Sequence, residues 1–86
     1  MIMEIGMFVK SNHGRDKGNV YIVQKIDKKY VLLVDGNNKT VDKPKKKNIK
    51  HIDKLNVVSE KLAEKFKQNK NVFDAEVYSA IKKFKE

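Results

Sequence analysis

The sequence predicts an α+β fold: a small β-barrel over residues 1–54, and a helical hairpin over residues 55–86 packed on it as an appendage. Three observations predict this. The first half alternates short β-branched and aromatic runs with tight-turn residues. The second half repeats its apolar residues at helical spacing. The charge divides unevenly, with thirteen basic and six acidic residues in 1–54 against seven and five in 55–86. Eighty-six residues without cysteine bury only one modest core and offer no disulfide, thiolate metal site or catalytic thiol.

The elements follow in order. Residues 5–10 are a short apolar stretch with Gly6 inside it. Residues 19–26 are rich in β-branched and aromatic side chains, and so are residues 30–34. Asp27-Lys28-Lys29 between them is short enough for a tight hairpin. Asp35-Gly36-Asn37-Asn38 is a second turn, because Gly and Asn tolerate positive φ. A short strand is expected at residues 39–41, ended or confined to an edge by Pro44, which has no N–H for a ladder. Residues 48–52 form a last short strand or a single helical turn. Four or five short strands in about fifty residues suggest a barrel.

Beyond residue 54 the pattern changes. Val58, Leu62, Ala63 and Phe66 recur at helical spacing, with Ser59 placed to cap the helix. Residues 68–71 are a polar break. Asp74 is expected to cap a second helix, with Phe73 and Tyr78 at the positions of a hydrophobic staple. Val77, Ala80, Ile81 and Phe84 form its apolar face, and Lys82, Lys83 and Lys85 suit its C-terminal dipole. Phe66, Phe73 and Phe84 are expected to pack these helices.

Charge carries the functional argument. Twenty Lys plus Arg against eleven Asp plus Glu give a net charge of +9. Six of the lysines fall within residues 43–54, with Asp53 the one acid among them. Such a block points first to nucleic acid and second to an anionic membrane surface. Arg15 is the only arginine, so most of the charge is flexible ammonium, which suits phosphate contact better than bidentate base reading. Glu4 interrupts the apolar opening, and the longest apolar run, Tyr30–Val34, is far short of the roughly 20 residues of a membrane helix. A cytoplasmic, non-membrane protein, monomeric when free, is the expectation.

Gly14-Arg15-Asp16-Lys17-Gly18 joins the first two expected strands. Its glycines let a phosphate approach main-chain amides, Arg15 and Lys17 add charge, and Asp16 is expected to brace the loop by accepting backbone N–H bonds. With Gly6, Val9, Val23 and Ile26 around it, this segment resembles the KOW motif, a strand–loop–strand unit. The chain as a whole is similar to KOW-containing RNA-binding proteins of Gram-positive bacteria, and to the fourteenth large-subunit ribosomal protein of archaea and eukaryotes. The likeness lies in the loop, in residues 31–36, and in residues 43–52. Where a second glycine often follows the loop, this chain has Asn19-Val20-Tyr21. The resemblance implies an SH3-like barrel that binds ribosomal or other structured RNA.

The candidate contact residues are Lys10, Ser11, Asn12, His13, Arg15, Lys17, Lys43, Lys45, Lys46, Lys47, Lys50 and His51. Lysines and arginine would meet phosphates, and Ser11 and Asn12 phosphates or 2′-hydroxyls. His13 and His51 are either base or phosphate contacts or plain surface imidazoles. Tyr21, Tyr30 and Phe8 are stacking platforms or, the more common use, core. Two histidines without thiolates make a poor metal site, and no motif supports catalysis or a cofactor. The expected function is binding of structured, ribosomal RNA through backbone electrostatics. The alternative is a protein-interaction module docking on ribosomal or transcription machinery.

Overall fold

The computed structural model describes residues 2–86. Strands β1 (Met7–Ser11), β2 (Val20–Ile26), β3 (Tyr30–Val34), β4 (Lys45–Asn48) and β5 (Ile52–Val58) are followed by helices α1 (Glu60–Lys67) and α2 (Asp74–Lys85). All strand pairs are antiparallel, in the order β4-β3-β2-β1-β5. The two edge strands, β4 and β5, are joined only by the 3-10 turn Ile49–His51. A three-residue link between the ends of a five-stranded sheet forces the sheet to curl. It does not close, because no ladder joins β4 to β5 among the described residues.

Strand alternation gives the sheet two apolar faces. Inside the curl Met7, Val9, Tyr21, Val23, Val31, Leu33 and Ile52 form one core. On the other face Phe8, Val20, Ile22 and Val34 meet Leu62 of α1 and Val77 and Ile81 of α2. Phe84 lies flat on Phe8, with ring centroids 4.3 Å apart. Each of the fully buried aliphatic side chains contributes about 1.5–3 kcal/mol. The helices therefore complete the second of two cores, supplying three of its seven buried side chains, and they pack on the sheet as the apolar spacing predicts.

Two glycines set the helices close to the sheet. A Cβ on Gly6 would lie 2.5 Å from the Ala63 Cβ, and one on Gly36 would collide with the Asp74 carbonyl at the start of α2. Both have positive φ, 86° and 75°, which penalises any other residue there. Ser59 caps α1 by accepting from the Leu62 N–H at 3.4 Å. The helix ends with Asn69 in the left-handed region, φ 54°. There the Lys70 N–H returns to the Lys65 carbonyl at 2.9 Å, and Asn69 N–H bonds the Phe66 carbonyl. The Lys65–Glu76 ion pair ties the helices together.

Several expectations are corrected. Residues 39–41 form no strand: the Val41 N–H bonds the Asp74 carboxylate at 2.8 Å and its carbonyl accepts from Gln24. The lysine block is itself the strand, starting directly after Pro44. The sheet runs on past the expected boundary at residue 54 to Val58. β5 was hidden by a bulge, since Met7 pairs with Val58 and Val9 with Lys54, leaving extra residues on β5 that include Asn56 at φ 60°. Asp74 does not cap α2. Phe73 precedes the helix, and Glu76 reaches back to accept from the Phe73 N–H at 2.9 Å. The Phe73 ring is 68% exposed and Tyr78 48%, so neither is core packing.

Candidate nucleic-acid interface

The loop between β1 and β2 is closed at its base. Ser11 N–H bonds the Asn19 carbonyl at 2.9 Å, and Gly18 N–H returns to the Ser11 carbonyl at 2.8 Å. Inside it the Asp16 carboxylate is held from three directions. Oδ1 accepts from the Lys47 ammonium at 2.8 Å and the Ser11 hydroxyl at 2.9 Å, and Oδ2 accepts from the Tyr21 hydroxyl at 3.0 Å. Lys45 adds its charge 3.8 Å away. The Lys47 ammonium also donates to the His13 carbonyl at 2.8 Å. These bonds bolt the glycine loop to the lysine strand, 31 residues later in the chain.

The electrostatics follow from the packing. Burial alone would raise the Asp16 carboxyl, but the donors Lys47, Ser11 and Tyr21 and the Lys45 charge overcome it and hold it at about 2, below 3.8. Burial, reinforced by the adjacent Asp16 charge, pushes the Tyr21 phenol up to about 12. Ser11 and Tyr21, each only 1% exposed, are therefore structural. No buried side-chain nitrogen or oxygen among the described residues lacks a partner.

The strand period splits the lysine triplet. Lys47 pairs with Val31 and Lys45 with Leu33, so both leave β4 on the inner face and reach Asp16. Lys46 pairs with Leu32 and leaves on the outer face, where its ammonium sits 4.5 Å from the Tyr30 ring centroid. The Lys47 side chain is 9% exposed and neutralised by Asp16, which makes it a brace rather than a free cation; Lys45 keeps 31% exposure. Lys10 alternates with buried Val9 and Ser11, so it leaves the strand away from the inner core and is exposed, paired across the ladder with Asp53.

The 3-10 turn continues the cationic surface. Asn12 N–H bonds the His51 carbonyl at 2.9 Å, and the Asn12 amide donates to Asp53. This brings His13 and His51, 38 residues apart in sequence, into a stack with centroids 4.2 Å apart. Partial desolvation, together with neighbouring His13, Lys47 and Lys50, lowers the His51 pKa. Ile49 N–H bonds the Lys29 carbonyl at 2.9 Å, so the β2–β3 turn with exposed Lys28 and Lys29 adjoins the same surface. Along the chain Lys28 and Lys29 stand only as residues of a tight hairpin; their place beside residues 49–51 makes them candidates.

Of the predicted contacts, Lys10, His13, Arg15, Lys17, Lys43, Lys46 and Lys50 are exposed, Asn12, Lys45, Lys47 and His51 partly so, and Ser11 is buried. Phe8 and Tyr21 are core, while Tyr30 is 39% exposed. Among the described residues no three His, Cys, Asp or Glu side chains converge as a metal set, and no helix is long and apolar enough to cross a membrane. The chain matches no protein-family model and no curated protein.

Proposed function

We propose that this protein binds structured RNA, ribosomal RNA foremost, through its phosphate backbone, and that the curled sheet is an SH3-like barrel of the KOW type. The observation that carries the reading is the Asp16 knot. It fixes a glycine-hinged loop bearing Arg15 and Lys17 beside the lysine strand and the 3-10 turn bearing Lys50. Free cations on a braced frame meet phosphates at low entropic cost, and shape rather than base identity selects the RNA. The test is a titration of ribosomal RNA fragments at several salt concentrations. With about five phosphates engaged, log affinity falls against log salt with a slope of roughly −3.5 to −4.5. Absence of binding in dilute buffer overturns the reading.

Phe73, 68% exposed, and Tyr78, 48% exposed, favour a second reading, a protein partner docked on α2. A complex held by protein contacts survives nuclease and moderate salt; one held by RNA does not.

A further inference from the structure

Beside the β2–β3 turn lies a recess of about 170 Å³ lined by Lys25, Asp27, Tyr30, Val31, Leu32 and Lys46. We propose that this recess, on the outer face of β3, receives one unpaired nucleobase that protrudes from the bound RNA and packs against the Tyr30 ring; this rests on the RNA-binding reading above. Four observations lead there. The Tyr30 ring is 39% exposed, although the ring of Tyr21 on the neighbouring strand is buried. Lys46 lies over Tyr30 at 4.5 Å, which marks the ring face as accessible, and the flexible ammonium swings off that face to the nucleotide phosphate when a base enters. Leu32 lines the recess beside Lys25 and Lys46, and Asp27 completes the lining, one of its carboxylate oxygens accepting from the Lys28 N–H at 2.8 Å. The recess is smaller than the roughly 300–1,000 Å³ of ordinary ligand pockets, which suits a single ring system rather than a larger ligand.

The recess lies next to the cationic surface, because the Lys29 carbonyl, one residue before Tyr30, accepts from the Ile49 N–H at the start of the 3-10 turn. An RNA whose backbone tracks Lys50 and Lys29 therefore passes beside Tyr30. A fully paired stem cannot enter, since its bases are stacked inside the helix; a bulged or looped base can. The remaining Asp27 oxygen accepts from exocyclic amino groups, so bases that present such donors are favoured.

The experiment compares three stems of the same sequence: fully paired, with one bulged base, and with an abasic site at the bulge. The bulged stem is expected to bind about tenfold tighter than either of the others. Tyr30→Leu removes that preference and leaves binding to the paired stem within about twofold, whereas Tyr30→Phe retains it. Thermal unfolding of each variant verifies the fold. Equal binding of bulged and abasic stems by the native protein overturns the base site while RNA binding stands. Failure to bind any of the three stems overturns both.

Discussion

The helix-covered face of the sheet and the loop end around Asp16 hold together by opposite chemistry. Under the helices the contacts are apolar and close, and two glycines let backbone touch backbone. Around Asp16 they are polar and directional, with one carboxylate serving Lys47, Ser11 and Tyr21. Gly14 and Gly18 also have positive φ, but they face open space or distant side-chain tips. The first region tolerates almost no added volume. The second tolerates volume but not loss of charge balance. A surface meant to grip a polyanion needs cations held in place without being neutralised, and spending Lys47 on Asp16 leaves Arg15, Lys17 and Lys50 outward.

The largest expected effect tests the close-packed face. Gly36→Ala should cost about 3 kcal/mol or more, combining left-handed strain with overpacking against α2, and Gly6→Ala a similar amount against α1. Urea unfolding measures both. Full stability in either variant would show that the helices ride loosely on the sheet.

Next comes the polar knot. Lys47→Met leaves the buried Asp16 charge without its closest partner and should cost about 2–3 kcal/mol, while Lys45→Met, at the longer and more exposed contact, should cost less than about 1 kcal/mol. The same region governs pH dependence. The Asp16 carboxyl sits at about 2 when folded against 3.8 otherwise, so its contribution of about 2 kcal/mol is present above pH 4 and lost as pH falls through 2. Tyr21 is raised from 10.0 to about 12, so its contribution is present below pH 10 and lost as pH rises through 12. Asp16→Asn should flatten the acid limb of a stability–pH curve; an unchanged limb would assign it to other carboxylates.

Smaller effects separate binding from folding. Arg15→Ala, Lys17→Ala and Lys50→Ala together should leave stability within about 0.5 kcal/mol and lower the steepness of the RNA salt dependence by about 0.9 per lost contact. RNA affinity should also rise modestly as pH falls through the titration of His51. Its pKa is depressed by desolvation and the adjacent His13, Lys47 and Lys50, and a bound polyphosphate reverses that penalty; a pH-independent affinity places the imidazole stack outside the contact. Smallest of all, Phe73→Ser should not move the unfolding midpoint, because the ring is exposed, and any loss of a protein complex in that variant identifies α2 as a docking face.

Much of this was legible along the chain. The three central strands, both helices, the Ser59 cap and the polar break at residues 68–71 follow from periodicity and turn chemistry, which act over a few residues. β5 was not legible, since a bulge and a left-handed Asn56 destroy its alternation. Nor was the role of Asp74: an acid at a helix start reads as a cap, and only the fold brings it to the Val41 N–H. The lysine block was visible as charge but not as a strand, so its division between the two faces could not be read.

The α+β class, the excess of positive charge and the position of the glycine loop depend on local spacing and composition, and so can be read along the chain. Tertiary structure alone decided which cations stay free. Pairing Lys45 with Leu33 and Lys47 with Val31 turns two lysines of the triplet toward Asp16 and one toward Tyr30, and the 3-10 turn stacks His51 on His13. The physical reason is that register and the sign of the nearest charge are set across strands, between residues that the chain keeps far apart.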